Sequence, residues 1–298
     1  MLENVESLMQ TYITSLGDET TGALYTKVPG GKRLRAKLIL RIAKDHPDAI
    51  KLAAIVELIH AASLLHDDVI DDALTRRGED SINAVFGNKT AIMLGDILYS
   101  KGFYELSTMP TNIAQTISNA VTELSIGELL DVELAKSFND NEKLYYTMIY
   151  KKTASLIEAA ACAAAMLAGK DHERFATYGR NLGLAFQIVD DILDITQDAK
   201  TLGKPALNDF VEGKTTLPYL YMYQRSSIAD QTTLLALFAK KLSQEESLWI
   251  KTKMAETKAI EDSIAEAKRL GHEALEAIAG QGVEGLEHVI TQMIERDF

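Results

Sequence analysis

The chain has 298 residues, 47% of them hydrophobic and 25% charged, so it can bury a substantial core and is not intrinsically disordered. Its formal net charge of −12 argues against a general nucleic-acid-binding protein, which would need a basic face for the phosphate backbone. Cys162 is the single cysteine, which excludes an internal disulfide bond, and the acidic N-terminus lacks a secretory apolar segment, so we expect a cytoplasmic protein.

Apolar residues recur with helical periodicity along almost the whole chain. In the first 107 residues this pattern predicts helices at about 2–16, 32–43, 48–72 and 83–107. The middle predicts helices at about 111–137, 141–168 and 171–197, and the remainder predicts shorter ones near 214–225, 230–240, 244–255, 257–279 and 283–296. Loops are expected at 75–80 and 199–213. Without a linker, a repeat or 18 uninterrupted apolar residues, the sequence predicts one all-α domain over 1–298 and no membrane-spanning helix.

Two acidic motifs with the same D-D-x-x-D spacing lie inside apolar helical sequence. They are Asp67-Asp68-Val69-Ile70-Asp71 and Asp190-Asp191-Ile192-Leu193-Asp194. Residues i and i+4 share a helix face, so the first and last aspartates of each motif project together. Mg²⁺ prefers oxygen ligands and usually takes one or two carboxylates together with substrate phosphates. Because buried charge is costly when unpaired, the motifs predict divalent metal ions holding a diphosphate, and a solvated acidic face is the alternative.

Basic residues recur near these motifs in an otherwise acidic protein. They are Lys32 and Arg35 after the Gly30-Gly31 turn, Arg76-Arg77 after the first motif, and Lys152, Lys204 and Lys214 later in the chain. Each alone is typical of ordinary surface charge. Together they predict a site for two anions, one bound through metal and the other directly by basic side chains.

Taken in order, these stretches resemble the trans-isoprenyl diphosphate synthases, also called polyprenyl synthetases. The matching segments are Gly31–Arg35, Leu64–Asp71, Arg76–Gly78, Lys151–Ala154, Phe186–Asp194, Gly203–Lys204 and Gly213–Pro218. They cover most of the chain in the expected order, which is far more specific than one acidic motif. Ala36 departs from the family, which often has proline after the basic turn, but the basic side chains are intact.

The resemblance implies a single-domain helical bundle around a deep central cavity, the isoprenoid synthase type I fold, usually as a homodimer. It implies several Mg²⁺ ions bound by Asp67, Asp71 and Asp190, with Asp68, Asp191 and Asp194 in support. Arg76 would hold the allylic diphosphate, and the diphosphate of isopentenyl diphosphate would be held by Lys32, Arg35, His60 and Arg77. The allylic site would be lined by Lys152, Thr153, Gln187, Lys204 and Lys214. The residues implied in catalysis are Asp67, Asp68, Asp71, Arg76, Lys152 and Asp190.

The implied chemistry begins when the allylic carbon–oxygen bond ionises. The double bond of isopentenyl diphosphate attacks the carbocation and a proton is lost, which we expect the released diphosphate to accept. Metal ions and cationic side chains would stabilise the departing diphosphate. An apolar lining would exclude the water that otherwise quenches the cation.

Product length is predicted from the residues upstream of the first motif. Ala62 and Ser63 lie about one turn before Asp67, where the resemblance implies that an aromatic floor characterises short-chain enzymes. From Ala62 past Ile59 to Lys51 the helix runs roughly 17 Å, room for three or four further isoprene units. This predicts a long-chain product of about C30 to C40, such as the octaprenyl side chain of a quinone. Alternatively, Ala62 and Ser63 only permit close helix packing, and the final floor could lie at Ile126, Leu129 or Leu130.

Competing hypotheses remain open at this point. His66-Asp67 with His60 could indicate a His-Asp metal phosphohydrolase, but the second acidic motif would then be unexplained. A terpene cyclase also carries D-D-x-x-D, but needs no second diphosphate site. A short-chain farnesyl or geranylgeranyl diphosphate synthase, or a non-catalytic partner subunit of a heteromeric synthase, completes the alternatives. Release of a long apolar product would require at most transient membrane contact.

Overall fold

A computed structural model of the chain describes residues 1–197 and 207–294. The chain divides into two compact units. The first contains Met1–Val121, Ala159–Ala176 and Gln281–Leu286, and the second contains Thr122–Glu158, Thr177–Gly280 and Glu287–Phe298. Within the described ranges the only strands form one two-stranded hairpin, so the all-α prediction is confirmed. The single domain over 1–298 and its central cavity stay predictions.

The first unit is built around one long apolar helix, α4. Its elements are α1 (Leu2–Thr14), α2 (Glu19–Tyr25), α3 (Leu34–Ile42), α4 (Ala49–Ile70), β1 (Thr75–Arg76), β2 (Glu79–Asp80), α5 (Ile82–Phe86) and α6 (Asn88–Leu106). Helix α4 packs most extensively against α6, and also against α3 and α1. By length and composition it is the one described helix that could cross a membrane, but 72% of its most apolar window is buried, which is the pattern of a core helix.

The second unit places two hydrophobic clusters around α10 and α12. The remaining elements are α7 (Thr111–Leu134), α8 (Glu142–Ile149), a π-helical segment (Tyr150–Ala154), α9 (Ser155–Leu167), α10 (His172–Thr196), α11 (Asn208–Val211), α12 (Leu217–Arg225), α13 (Ile228–Leu237), α14 (Gln244–Glu256), α15 (Ala259–Ala277) and α16 (Leu286–Ile294). The boundaries of the two units fall within α7, α9, α10 and α16. One cluster joins α8, α10, α12 and α15, and the other surrounds Phe210 stacked on Tyr219.

The observed elements differ from the predicted ones at five places. The loop expected at 199–213 contains the short helix α11, and its residues 199–206 lie outside the described residues. Helix α2 was not predicted, although Asp18 caps it by accepting a hydrogen bond from the Thr21 amide at 2.7 Å. The expected loop at 75–80 contains the β1–β2 hairpin. The helix predicted at 83–107 is two helices, because Gly87 adopts a φ of 84° between them. The helix predicted at 141–168 is interrupted by the π-helical segment.

Two glycines let neighbouring helices approach the π-helical segment. A Cβ at Gly183 in α10 would lie 2.5 Å from the Cα of Ala154. A Cβ at Gly127 in α7 would collide with the backbone of Lys151 and Lys152. Close backbone contact on two sides therefore fixes the position of this segment within the second unit.

We expect Gly183→Ala to destabilise the protein by about 1–3 kcal/mol, because the added methyl group overpacks a backbone contact. Urea unfolding followed by circular dichroism measures the effect. Gly22→Ala is the matched control, since nothing lies within 4 Å of its added Cβ and Gly22 is inside α2. The control should be stabilised by about 0.5–1 kcal/mol. Equal stability of both variants would contradict the close contact at Gly183.

Candidate active site

The first acidic motif ends α4, and its three aspartates lie in different surroundings. Asp68 is only 3% exposed. The Nε of Arg76 donates to both of its carboxylate oxygens, at 2.7 and 2.8 Å, and the Nη2 of Arg76 lies 2.6 Å from Oδ1. Asp67 is half-buried, and Asp71, the residue that caps α4, is exposed. The structure therefore joins Asp68 and Arg76, which the resemblance assigned to metal and diphosphate respectively.

Side-chain hydrogen bonds fix the segment that carries Arg76. The Nδ2 of Asn83 donates to the carbonyl oxygens of Asp68 and Ala73, at 3.1 and 2.9 Å. The hydroxyl of Ser81 donates to the same Ala73 oxygen at 2.6 Å. Since these bonds connect α5 to the end of α4, they hold the hairpin against the motif and place Arg76 beside Asp68.

Arg77 turns toward the glycine-rich turn that precedes α3. Its φ of 58° directs it away from Arg76, and its Nη1 donates to the Gly30 carbonyl at 2.5 Å. A Cβ at Gly31 would lie 2.6 Å from the same Nη1. Glycine at this position thus lets the guanidinium group of Arg77 lie directly against the turn, and the structure brings together two basic segments that are distant in sequence.

A buried acid that the sequence analysis did not single out organises the basic turn. Glu57 in α4 is 2% exposed, and its Oε1 accepts a hydrogen bond from the Ala36 amide at 2.9 Å. Its Oε2 accepts from Nη1 of Arg33 at 3.3 Å, and Arg33 also donates to Glu6. Helix α3 has no side-chain cap from its own N-terminal residue, so Glu57 satisfies a first-turn amide in its place. The sequence contained an indication of this role, because Glu57 is an acidic residue inside an apolar helix and lies three residues before His60.

Arg35 and His60 form a basic pocket with unsatisfied polar atoms. Arg35 is 8% exposed, and neither its Nε nor the Nδ1 of His60 has a hydrogen-bond partner among the described residues. Burial, partly offset by Glu57, lowers the pKa of Arg35 to about 10. Burial, followed by the charges of Arg35 and Arg77, lowers the pKa of His60 well below its usual value. A neutral imidazole beside arginines suits an anion that would complete the missing hydrogen bonds. Lys32 lies at the exposed edge of the turn.

The predicted chain-length residues Ile59, Ala62 and Ser63 are all buried. The hydroxyl of Ser63 donates to the His60 carbonyl at 2.9 Å, and a Cβ at Gly102 in α6 would lie 3.0 Å from Ile59. Ile59 therefore contributes to close packing between α4 and α6. Two candidates for the final floor, Ile126 and Leu129, are 45% and 64% exposed. The role of all these residues in product length stays a prediction.

His66 belongs to the contact between α4 and α6. Its Nε2 lies 3.2 Å from the Ile92 carbonyl oxygen and 3.4 Å from Asp96, and its ring lies against Gly95. Within residues 1–197 and 207–294, no group of three or more His, Cys, Asp or Glu side chains is arranged to hold a metal ion.

The second acidic motif lies in α10 and is more buried than the first. Asp190 is half-buried, whereas Asp191 and Asp194 are 3% and 2% exposed. The Asp191 carboxylate accepts from the Tyr145 hydroxyl at 2.6 Å and from Nε2 of Gln187 at 2.9 Å. Burial, together with the charge of Asp209, raises the pKa of Asp191 well above its usual value. The Oδ2 of Asp194 accepts from the Asp209 amide at 3.1 Å and so caps α11.

Lys152 and Thr153 project from the π-helical segment. The Lys152 ammonium donates to Asp131 at 2.6 Å and lies 2.9 Å from Glu128. Burial acts to lower the pKa of Lys152, but these two carboxylates outweigh it and raise the pKa. The sequence analysis missed both acids. The Thr153 hydroxyl donates to Oε1 of Gln187 at 2.7 Å, so these two side chains lie together.

Two further predicted residues follow α10. Lys214 lies 3.1 Å from Glu212, and its backbone amide donates to the Asp209 carbonyl at 2.8 Å. Lys204 lies outside the described residues.

The neutral state of His60 predicts a pH-dependent contribution to stability. In the unfolded chain His60 takes up a proton near its ordinary pKa of about 6.5, whereas in the folded protein it resists protonation. The unfolded state therefore binds more protons, so stability falls as the pH drops below about 6.5. His60→Gln should reduce this decline by up to about 1.4 kcal/mol per pH unit. Urea unfolding between pH 5 and 8 tests it, and a wild-type-to-variant difference that does not change with pH would contradict it.

Comparisons with known proteins agree with the motifs in this geometry. The polyprenyl synthetase family model matches residues 19–254. A short chain isoprenyl diphosphate synthase from Methanothermobacter thermautotrophicus is 39% identical over 220 residues, which cover 70% of this chain and 68% of that protein. The octaprenyl pyrophosphate synthase structure from Helicobacter pylori matches with a TM-score of 0.94 and 44% identity, covering 99% of this chain and 98% of that one.

A third match is a polyprenyl synthase from Caulobacter crescentus complexed with calcium and isoprenyl diphosphate. Its TM-score is 0.91 with 31% identity, and the match covers 99% of this chain and 94% of that one. These comparisons confirm the resemblance inferred from the acidic and basic motifs. The chain belongs to the polyprenyl synthetase family.

Proposed function

We propose that this protein is a trans-prenyltransferase that condenses an allylic diphosphate with successive isopentenyl diphosphates. Its product would be a long-chain all-trans polyprenyl diphosphate of about C30 to C40, with octaprenyl diphosphate favoured. One observation carries the proposal: α4 presents both the basic pocket at His60 and the carboxylates of Asp67 and Asp71. The seven residues from His60 to Asp67 place the two centres about 10 Å apart along the helix, a spacing that suits two diphosphates.

Divalent cations are the implied cofactor, and the chemistry of single exposed aspartates suits them, although the described residues contain no preformed group of three such ligands. Carboxylate oxygens are hard ligands, and Mg²⁺ often binds through one or two of them while water and phosphate oxygens fill the remaining positions. Asp67, Asp71 and Asp190, each partly or fully exposed, suit this role. When bound, several Mg²⁺ ions would neutralise charge on the allylic diphosphate and favour its departure. The calcium and isoprenyl diphosphate in the Caulobacter crescentus structure support this assignment.

The middle aspartate of each motif suits a positioning role better than direct ligation. Asp68 is engaged by Arg76, and both oxygens of Asp191 accept hydrogen bonds from the protein. These bonds occupy the oxygens of Asp68 and Asp191, whereas the adjacent Asp67 and Asp190 are partly exposed and can reach a metal ion. We therefore place Asp68 and Asp191 behind the metal ligands.

The other side chains would bind and orient the substrates. Arg35, His60 and Arg77 would hold the diphosphate of isopentenyl diphosphate, with Lys32 at the edge. Lys152 would hold the allylic diphosphate, because its ammonium group remains charged. Lys214, Arg76 and Lys204 complete this set as proposed contacts, and Thr153 and Gln187 would line the allylic site. Apolar surroundings would keep water from the cation, and the released diphosphate would accept the proton.

The long-chain product is favoured over the short-chain alternative. Ala62 and Ser63 are small, so no aromatic side chain interrupts α4 one turn before Asp67. The Helicobacter pylori octaprenyl enzyme is 44% identical over 99% of this chain, whereas the short-chain relative is 39% identical over 70%. Both observations support further rounds of condensation.

Assembly and location follow the same proposal. Helices α5 and α6 expose the large apolar side chains Val85, Phe86, Ile92 and Met93. Exposed large apolar side chains are typical of a subunit interface, which supports a homodimer. We place the enzyme in the cytoplasm, with at most transient membrane contact when a long apolar product is released.

Incubation with farnesyl diphosphate, labelled isopentenyl diphosphate and Mg²⁺ tests the proposed function. Reverse-phase chromatography of the dephosphorylated products should show chains of about C30 to C40, and chelation of the metal should abolish them. Asp67→Ala should lower turnover by about 100-fold or more. Asp45→Ala, at an exposed aspartate before α4, is the matched control and should keep wild-type turnover. Failure of the wild-type protein to condense the substrates would rule out the proposal.

Ala62→Tyr tests the basis of product length. A tyrosine one turn before Asp67 should block elongation and shift the products of the folded variant to about C15–C20. The same chromatography measures the shift, and thermal unfolding identifies protein that remains folded. Ala61→Tyr is the control, because residue 61 is rotated by about 100° around the helix and should leave product length unchanged. An active Ala62→Tyr enzyme with wild-type products would show that residue 62 does not face the growing chain.

A further inference from the structure

Tyr145 in α8 is a fully buried tyrosine whose hydroxyl meets the second acidic motif. It is 0% exposed, and its hydroxyl donates to Oδ2 of Asp191 at 2.6 Å. We infer that Tyr145 is a positioning residue for prenyl transfer, acting through Asp191 and Gln187 on Thr153. The inference rests on the proposed function, because it assigns Tyr145 a part in that reaction.

Four side chains form one continuous hydrogen-bonded chain. Tyr145 donates to Asp191, whose other oxygen accepts from Nε2 of Gln187 at 2.9 Å. Oε1 of Gln187 then accepts from the Thr153 hydroxyl at 2.7 Å. The chain joins α8, α10 and the π-helical segment within the second unit.

The direction of the last two bonds follows from chemistry. The nitrogen of a glutamine amide only donates, so Asp191 directs the Gln187 nitrogen toward itself and the Gln187 oxygen toward Thr153. That oxygen only accepts, so the proton of the Thr153 hydroxyl must point to Gln187. The Thr153 oxygen therefore presents its lone pairs on the side away from Gln187. An electron-rich oxygen at the allylic site is suited to a substrate that develops positive charge.

Tyr145 fixes the Asp191 carboxylate, which is the acceptor that determines the orientation of the Gln187 amide and the Thr153 hydroxyl. Gln187 holds one oxygen of Asp191, and Tyr145 holds the other, so together they define the rotation of the carboxylate. Without the hydroxyl, Asp191 would have one buried oxygen unsatisfied and would rotate to recover a donor. The Gln187 amide would then lose its fixed acceptor, and the Thr153 hydroxyl would lose its fixed direction.

Core packing alone does not explain a tyrosine at this position. Its ring belongs to a cluster with Ile149, Ile188 and Leu217, where phenylalanine would fill the same volume. A buried hydroxyl is unfavourable unless it is hydrogen-bonded, and Asp191 supplies that bond. The hydroxyl also has a backbone hydrogen bond with Leu217 at the start of α12, so it joins the motif to the apolar cluster, and phenylalanine would lose both contacts.

Tyr145→Phe removes only this hydroxyl, and Tyr146→Phe is the matched control. Tyr146 is the adjacent residue, and its hydroxyl donates to Glu266 at 2.9 Å, outside the proposed site. We expect Tyr145→Phe to lower kcat by about 10-fold, the effect of losing one hydrogen bond to a carboxylate. The KM for isopentenyl diphosphate should change by less than about two-fold, because Tyr145 acts through groups of the allylic site. Tyr146→Phe should retain wild-type kcat and KM.

A double-mutant cycle with Thr153→Val separates positioning from general stability. If Tyr145 acts through Thr153, adding Tyr145→Phe to Thr153→Val should lower kcat by less than about two-fold further. A full additional 10-fold loss would overturn the inference, as would wild-type kcat in Tyr145→Phe alone. Loss of activity in proportion to loss of folded protein, followed by circular dichroism, would also overturn it. A wild-type enzyme that fails to condense its substrates would instead refute the proposed function.

Discussion

A carboxylate inside an apolar helix is stable only when donors meet its oxygens, and this constraint shapes both units. Glu57 is met by the start of α3 and by Arg33. Asp68 is met by Arg76, and Asp191 is met by Tyr145 and Gln187. In the first unit these bonds hold the basic turn and the hairpin, and in the second unit they hold the amide of Gln187. The bonds that make burial of these acids tolerable are therefore the same bonds that position the groups available to a substrate.

The two acidic motifs are identical in spacing but not in environment. In both, the middle aspartate is buried and held by protein donors. The last aspartate differs, because Asp71 is exposed at the end of α4 whereas Asp194 is buried and caps α11. Helical periodicity predicted correctly that Asp67 and Asp71 lie one turn apart. It could not predict which faces are covered, since burial depends on helices that are remote in sequence. The spacing thus indicates the chemistry, and the packing decides which carboxylates can perform it.

The region around Lys152 shows a second limit of sequence reasoning. The pattern over 141–168 is continuous and predicts one α-helix, yet five residues form a π-helical segment. A π-helical turn widens the helix and redirects its side chains, and such turns are frequent at functional sites. Gly127 and Gly183 were a partial indication of this segment in the sequence, because both allow its backbone to approach very closely. The role of these two glycines can be recognised only when the contacts between helices are known. Most of the helices and the order of the motifs could be derived from the sequence, whereas the contact between Thr153 and Gln187 appears only in the structure.

The arginines of the first unit divide according to the same constraint. Arg33 is paired with Glu6 and Glu57, and Arg76 is paired with Asp68. Arg35 is buried with its Nε unsatisfied, beside an imidazole whose pKa is held low. A charged His60 would add repulsion to an already basic pocket, whereas a neutral one still provides a polar ring atom. An arriving diphosphate would add the negative charge that Arg35 lacks. Carboxylates of the protein thus occupy Arg33 and Arg76, whereas Arg35 and His60 keep the unsatisfied donor groups that an anion would meet.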